Sequence, residues 1–174
     1  GNPPYSAGQS SANDNNANVG YATLDECIRN TYAEKSKATN KNGLYDSYIR
    51  AIRWASDRVG KSGIVGFVTN ASFIDYPTFD GLRKCLVEEF SCIHIFHLRG
   101  NQRTQGETSR REGGKIFGSG SRAPIAITFL VKNPTAKKSG QIFVHDIGDY
   151  LSREEKLQKI VDFNSIAGIS KIDG

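Results

Sequence analysis

Apolar side chains recur at spacings of three and four in two stretches of the chain, residues 44–59 and 78–90. The first stripe comprises Leu44, Tyr48, Ile52, Ala55 and Val59, and the second comprises Phe79, Leu82, Leu86 and Phe90. Such a stripe occupies one face of an α-helix and packs against a core. The spacing therefore predicts two amphipathic helices.

Two further helices are indicated by N-terminal capping signals. Thr23 is followed three residues later by Glu26, and Ser152 is followed at the same distance by Glu155. Such a pair can satisfy two backbone N–H groups at the start of a helix. We therefore expect one helix to begin at each pair.

Four short apolar runs predict strands, at residues 64–69, 93–98, 124–131 and 141–146. The first run does not alternate between apolar and polar residues, which is typical of a strand covered on both faces. Strands that alternate with helices indicate an α/β sheet, and two final strands with no helix between them indicate an antiparallel edge. The predicted fold is α/β with a mixed sheet.

Size and composition narrow the class of protein. The chain has 174 residues, of which 37% are hydrophobic, and this corresponds to one domain with a sizeable core. It contains no apolar run near 18 residues and no signal-peptide pattern, so we expect neither a membrane span nor secretion. Cys27, Cys85 and Cys92 lack metal-ligand spacing and are expected to be reduced thiols in the cytoplasm.

Positive charge is concentrated in one part of the chain. The net charge is +5, a mild bias toward polyanionic partners. Residues 99–122, called the basic segment below, contain six basic and two acidic side chains. The basic ones are Arg99, Arg103, Arg110, Arg111, Lys115 and Arg122. The last five are candidate contacts to nucleic-acid phosphates, and a solvated loop between two strands is the alternative.

The chain begins with a motif that can carry chemistry, Asn2-Pro3-Pro4-Tyr5. The prolines stiffen the backbone and favour an extended conformation before them. The Asn2 side-chain oxygen and the Pro3 carbonyl can each accept a hydrogen from an amino group on a flat ring, while Tyr5 lies against the ring. The amino nitrogen then becomes nucleophilic toward an electrophilic methyl group through positioning and electrostatics alone. A Pro-Pro turn in a leading loop is the alternative.

This tetrapeptide resembles motif IV of the amino-methyltransferases that use S-adenosylmethionine, most closely the DNA adenine-N6 methyltransferases. The resemblance implies that Asn2 and Pro3 hold the adenine amino group, while Tyr5 stacks on a base flipped out of double-stranded DNA. It also implies the second half of a Rossmann-like methyltransferase fold. There, the strand at residues 124–131 would lie antiparallel between those at 64–69 and 93–98.

The resemblance extends to the residues before that inserted strand. Members of the family place an aromatic residue there, which closes on the flipped base from the other face. The Gly-Lys-Ile-Phe sequence at residues 114–117 fits this pattern and makes Phe117 the implied partner of Tyr5. A core residue beneath a loop is the alternative for Phe117.

The family also implies a cofactor-binding half, which contains a strand, a Gly-rich turn and an acidic residue, all ahead of motif IV. None of these precedes Gly1, and Gly113-Gly114 lie between two strands and open no helix. We therefore expect residues 1–174 to be a single-domain fragment, the base-binding half, which lacks cofactor-binding and metal-binding residues and is inactive alone.

Three further stretches look like the methyltransferase region of large restriction–modification proteins. They are the helix from Leu44, the strand Gly-Ile-Val-Gly-Phe-Val-Thr and the Phe-Asp-Gly-Leu-Arg-Lys helix. Such proteins fuse this region to a helicase-like ATPase and a nuclease, so we expect upstream domains in the same polypeptide. The chain itself contains no Walker A sequence.

Two other functions are compatible with the motif. Enzymes that methylate a glutamine side chain in proteins share Asn-Pro-Pro-Tyr, because that substrate is also a planar amide NH2. The basic segment and Phe117 favour nucleic acid over this substrate. The second alternative is a non-catalytic DNA-binding module inside a helicase or restriction protein.

Overall fold

The computed structural model describes residues 1–4, 20–118 and 121–168. The α-helices are α1 (Ala22–Ile28), α2 (Ser47–Arg58), α3 (Ser72–Asp75), α4 (Asp80–Glu89), α5 (Gly106–Glu112) and α6 (Arg153–Phe163). The strands are β1 (Gly63–Asn70), β2 (Cys92–Arg99), β3 (Ile125–Lys132) and β4 (Gln141–Asp146). A π-helical turn (Arg29–Ala33) extends α1, and short 3₁₀ turns (Asn42–Tyr45 and Pro77–Phe79) precede α2 and α4.

The four strands form one mixed sheet in the order β1-β3-β2-β4. Strand β3 is antiparallel to both β1 and β2, whereas β4 lies at the other edge and is parallel to β2. The predicted α/β class with a mixed sheet is confirmed. The antiparallel edge is the β1–β3 pair, whereas the two final strands, β3 and β4, do not pair with each other. The placement of β3 between β1 and β2 also matches the order that the family resemblance implied.

Core clusters lie on both faces of the sheet, but Ile64 at the start of β1 is exposed, so the predicted two-sided burial of this strand is incomplete. One face packs against α1, α2 and α4 through a cluster that includes Tyr32, Tyr48, Phe73, Leu82 and Leu130. The other face carries a second cluster, which comprises Phe96, Leu98, Ile116, Ile125, Ile147 and Phe163. Side chains that alternate along β2 and β3 divide between the two clusters, which is the period-2 geometry of a strand.

The two predicted helical stripes are buried, and the two capping signals have different outcomes. The Ser152 hydroxyl accepts a hydrogen bond from the Glu155 N–H at 3.2 Å, and the Glu155 carboxylate accepts one from the Ser152 N–H at 2.8 Å. The box at Thr23 is wrong, because α1 begins at Ala22 without a side-chain cap. There, Asp25 instead binds Arg50 of α2 at 2.7 and 3.0 Å.

A glycine allows α4 to approach the π-helical turn closely. A Cβ atom at Gly81 would lie 1.9 Å from the Tyr32 carbonyl oxygen and 2.7 Å from the Ser36 nitrogen. This contact packs α4 against the π-helical turn within the helix layer. Among the described helices, none combines the length and apolar character needed to cross a membrane.

Candidate nucleic-acid and base-binding site

The backbone before the Asn-Pro-Pro motif pairs with β1 as a parallel strand does. The Gly1 nitrogen donates to the Gly66 carbonyl at 2.7 Å, and the Val68 N–H donates to the Gly1 carbonyl at 2.9 Å. This pattern sets Gly1 opposite Phe67. The next residues therefore leave the sheet at the carboxyl end of β1, which is where ligands bind in open α/β sheets.

The described residues of the motif lie at or near the surface. Asn2 and Pro4 are exposed, and Pro3 is partly buried. Within the described part of the chain, neither the Asn2 side chain nor the Pro3 carbonyl has a hydrogen-bond partner. Tyr5 lies outside the described residues, and its predicted stacking role stays a prediction.

The turn that follows β1 fixes this end of the sheet. Asn70 is buried, and its side-chain oxygen accepts a hydrogen bond from the Ser72 N–H at 2.9 Å. The Ala71 N–H donates to the Pro124 carbonyl at 2.8 Å. Because Pro124 directly precedes β3, the end of the basic segment arrives at the same end of β1 as the motif.

The basic segment is not the plain loop that its composition predicted. Residues Gly106–Glu112 form α5, a helix with no buried side chain. Contacts outside the helix hold it: the Glu112 carbonyl accepts from the Gly100 N–H at 3.1 Å, and its carboxylate accepts from the Asn101 N–H at 2.9 Å. The Tyr150 hydroxyl donates to Glu107 at 2.6 Å. These residues have no apolar stripe, so the sequence pattern did not predict the helix.

Two of the predicted phosphate-binding cations interact with other groups of the protein. Arg111 makes an ion pair with Asp149 at 2.8 Å, which ties α5 to the loop after β4. The Arg122 guanidinium donates to the Gln102 carbonyl at 2.7 Å, and this bond joins the end of the basic segment to its beginning. Both side chains remain partly accessible, so they contribute positive potential as well as structure.

The other three predicted cations are less engaged. Arg110 lies 3.6 Å from Glu107 on an exposed helix surface, a contact worth little in water. Arg103 is exposed and Lys115 is partly buried, and neither has an ion pair or a side-chain hydrogen bond among the described residues. Of the five predicted cations, these three therefore have the fewest polar contacts among the described residues.

Phe117 is partly buried and packs against the second core cluster, next to Ile116. This position is compatible with the core role that the sequence also allowed, and it leaves part of the ring accessible. Val68, which donates to Gly1, packs against the same cluster. Val68 thus connects the backbone before the motif to the cluster that Phe117 contacts, and a Tyr5–Phe117 pair around a base stays a prediction.

Sequence reasoning missed two residues on α6 that contact the basic segment. Lys156 is fully buried, and its Nζ donates to the Glu112 and Gly114 carbonyls, each at 2.7 Å. The Arg153 Nε donates to the Ile116 carbonyl at 2.8 Å. The capping box located this helix, but no local pattern distinguishes a buried lysine from a solvated one.

The described residues do not supply a cofactor turn or a metal site. Gly113 and Gly114 pack against residues 151–153 and open no helix. No group of three or more His, Cys, Asp or Glu side chains in the described ranges is arranged to hold a metal ion. A cavity of about 600 Å³ lies between β2, β4 and α6, among His94, Phe143 and Phe163, and residues 1–4 do not line it.

The family of this chain is shown by a match to a protein-family model. Residues 1–104 match the Eco57I restriction-modification methylase family. The chain belongs to this family. No significant match is found among curated proteins.

Solved structures with the same fold include two Type ISP restriction-modification enzymes. A nuclease-deletion mutant of the Type ISP restriction-modification enzyme LlaGI, in complex with a DNA substrate mimic, is 55% identical, with a TM-score of 0.91 over 97% of this chain. The ATP-dependent Type ISP restriction-modification enzyme LlaBIII bound to DNA is 42% identical, with a TM-score of 0.90 over 98% of the chain. The DrdV–DNA complex is 44% identical, with a TM-score of 0.82 over 90% of the chain.

This Eco57I-family chain corresponds to a small part of those proteins. It spans 14% of the LlaGI chain, 11% of the LlaBIII chain and 15% of the DrdV chain. In this family, the chain contributes a methylase region with the Asn-Pro-Pro motif at one end of its sheet.

Proposed function

We propose that this chain is the base-binding half of a DNA adenine-N6 methyltransferase. The observation that carries the proposal is the pairing of Gly1 with β1, which starts Asn2 and Pro3 near the carboxyl end of that strand in a chain of the restriction-modification methylase family. A planar amino group is the ligand that two adjacent acceptors and a neighbouring aromatic ring suit best.

The proposed chemistry needs no general base in this chain. The Asn2 side-chain oxygen and the Pro3 carbonyl each accept one hydrogen of the adenine amino group, which localises the lone pair on nitrogen. Tyr5 and Phe117 hold the flipped base between their rings, and each stack contributes about 1–3 kcal/mol. This offsets the few kcal/mol that extrusion of a base from the duplex costs.

S-adenosylmethionine is the methyl donor that this family chemistry uses, and other parts of a longer polypeptide hold it. The proposal rests on the lack of a Gly-rich strand-to-helix turn among the described residues and on the small fraction of each neighbour that the chain spans. Residues 1–174 then form a single-domain fragment that does not turn over alone. The longer polypeptide is called the parent enzyme below.

Double-stranded DNA is the proposed partner of the basic segment. Arg103, Arg110 and Lys115 supply phosphate contacts, while Arg111 and Arg122 support the segment and add positive potential. The segment approaches the same sheet end as the motif through Pro124 and Ala71. Phosphate contacts from this position would orient the duplex over the site without reading its sequence.

The parent enzyme is proposed to be a Type ISP-like restriction–modification protein of the cytoplasm. The support is the likeness to LlaGI, whose nuclease was deleted for its structure, and to LlaBIII, which is ATP-dependent. By this likeness, a helicase-like ATPase and a nuclease belong to the same polypeptide. The free thiols of Cys27, Cys85 and Cys92 suit a reducing compartment.

The test is a methyl-transfer assay on the parent enzyme with methyl-labelled S-adenosylmethionine and two acceptors, duplex DNA and a mixture of glutamine-containing proteins. We expect label in DNA and none in protein. Label in protein alone would establish the glutamine alternative. A folded parent that binds S-adenosylmethionine and labels neither acceptor would indicate a silent DNA-binding module.

A further inference from the structure

Lys156 occupies an unusual environment for a lysine. Its side chain is fully buried on α6, and the Nζ donates to two backbone carbonyls, those of Glu112 and Gly114. A buried amine loses its hydration, and this is tolerated only when acceptors replace water. The two carbonyls at 2.7 Å provide that replacement.

The same stretch of the basic segment receives other bonds from the start of α6. The Gly114 N–H donates to the Leu151 carbonyl at 2.9 Å, and Arg153 donates to the Ile116 carbonyl at 2.8 Å. Alternate residues of this stretch, at positions 112, 114 and 116, are therefore bonded to residues 151–156. The bonds stop at the residue before Phe117.

Close contact between the two stretches depends on the Gly-Gly pair. Gly113 has a φ of 67°, and a Cβ atom there would lie 2.2 Å from the Leu151 carbonyl oxygen. A Cβ atom at Gly114 would lie 2.5 Å from the Arg153 nitrogen. Only glycine fits at both positions, so the sequence before Lys115-Ile116-Phe117 is shaped for contact with α6.

The lysine is not needed to bury α6. Phe163 already anchors the helix in the second core cluster. An apolar side chain of similar length at position 156 would fill the same space without the desolvation cost of an amine. The amine therefore has a use that packing does not supply, and its two bonds show that it holds the backbone of the basic segment.

We propose that Lys156, assisted by Arg153, is a positioning residue that fixes residues 112–116 and thereby sets the orientation of Phe117 toward the flipped base. This inference rests on the proposed stacking role of Phe117. It assigns to α6 a part in base capture, although α6 lies far along the chain from the Asn-Pro-Pro motif.

The test uses the parent enzyme and two matched duplexes, after sequencing has located the methylated adenine: one carries 2-aminopurine at that position for fluorescence, and the other keeps adenine for methylation and affinity. Phe117→Ala, Lys156→Met and the double variant are compared in 2-aminopurine fluorescence, single-turnover methylation and duplex affinity. Lys156→Met should slow methylation by about 5- to 150-fold, the value of one stacking contact, with duplex affinity changed less than twofold. The double variant should be no slower than Phe117→Ala.

Two variants separate positioning from general stability. Lys156→Gln keeps an NH2 donor and should recover most of the methylation rate, whereas Lys159→Met, an exposed lysine on the same helix, should behave as wild type. If Lys156→Met does not fold, Arg153→Leu replaces it, because this side chain is half exposed and its loss should give a smaller defect that again disappears in the Phe117→Ala background.

The outcomes distinguish this inference from the function on which it rests. Additive losses from Lys156→Met and Phe117→Ala, or a normal rate for both Lys156→Met and Arg153→Leu, would overturn the positioning role alone. A normal rate for Phe117→Ala would remove the stacking role of Phe117, and this inference with it. That result would leave the Asn2 chemistry intact.

Discussion

The Gly1 carbonyl accepts a hydrogen bond from the Val68 N–H at 2.9 Å, and this bond fixes where the Asn-Pro-Pro backbone leaves the sheet. Asn2 is the next residue along the chain, so its backbone begins at a position held against β1. Sites supported by strands hold their geometry more closely than sites on loops. This is the geometry that a reaction controlled by positioning requires.

Replacement of the Asn2 acceptor should separate turnover from binding. Asn2→Ala in the parent enzyme should lower kcat for DNA methylation by about 100- to 1,000-fold, comparable to the loss of one oriented hydrogen-bonding group at a reacting centre. Duplex affinity should change little, because the bond strengthens mainly in the transition state. Steady-state kinetics and a binding titration check this. Asn2→Asp keeps an acceptor oxygen and should retain more activity than Asn2→Ala.

The salt dependence of duplex binding should change differently when a paired cation of the basic segment is replaced and when one without an ion pair among the described residues is replaced. Arg103→Gln and Lys115→Gln should each weaken duplex binding and reduce the slope of log affinity against log salt by about 0.9, the value for one phosphate contact. Arg111→Gln should change the slope less, since its charge already faces Asp149. Titrations at several salt concentrations measure the slopes. Equal slopes in all three variants and wild type would contradict phosphate binding by this segment.

Gly81 should be intolerant of any side chain. Alanine in a helix interior usually stabilises by about 1 kcal/mol over glycine. At this position the added Cβ would meet backbone atoms of the π-helical turn at 1.9 Å, so we expect Gly81→Ala to lower the free energy of unfolding by about 3 kcal/mol, at the upper end of overpacking costs. Gly20→Ala is the control, because a Cβ there meets nothing within 4 Å. Thermal unfolding of the two variants should show a large loss for the first only.

Lys156 should make stability depend on alkaline pH. Burial lowers the pKa of Lys156 to about 8 from its ordinary 10.5; Glu112 and Asp146 act to raise it, and Arg99 acts to lower it. The unfolded chain therefore binds more protons between pH 8 and 10.5, and the free energy of unfolding rises with pH in this window. The difference between wild type and Lys156→Met isolates this group from other titrations. Chemical denaturation should show that the free energy of unfolding of wild type increases relative to that of Lys156→Met from pH 8 to 10. A constant difference would contradict the lowered pKa.

Local periodicity was sufficient for most elements of the fold. The stripes through Leu44 and Phe79 and the apolar run at residues 64–69 predicted α2, α4 and β1 because burial on one or both faces leaves a direct trace in the sequence. The Ser152–Glu155 box is likewise complete within four residues. The position of β3 between two strands has no such local trace, and the family resemblance supplied it.

The elements that the sequence pattern missed are those made by contacts distant along the chain. Helix α5 has no buried side chain, and Tyr150 and Gly100 hold it from outside. The Thr23 signal was wrong because the start of α1 is set by tertiary contacts such as Asp25 with Arg50. A lysine in a polar helix is usually solvated, so the burial of Lys156 could not be predicted from the sequence either.

Adenine as the methyl acceptor is the central claim, and the identity of the product base tests it most directly. The parent enzyme is incubated with duplex DNA and S-adenosylmethionine, and the digested nucleosides are analysed by mass spectrometry, with Asn2→Ala in parallel. We predict N6-methyladenine from wild type and a strongly reduced amount from the variant. A methylated cytosine, or N6-methyladenine at an undiminished rate from Asn2→Ala, would contradict the account.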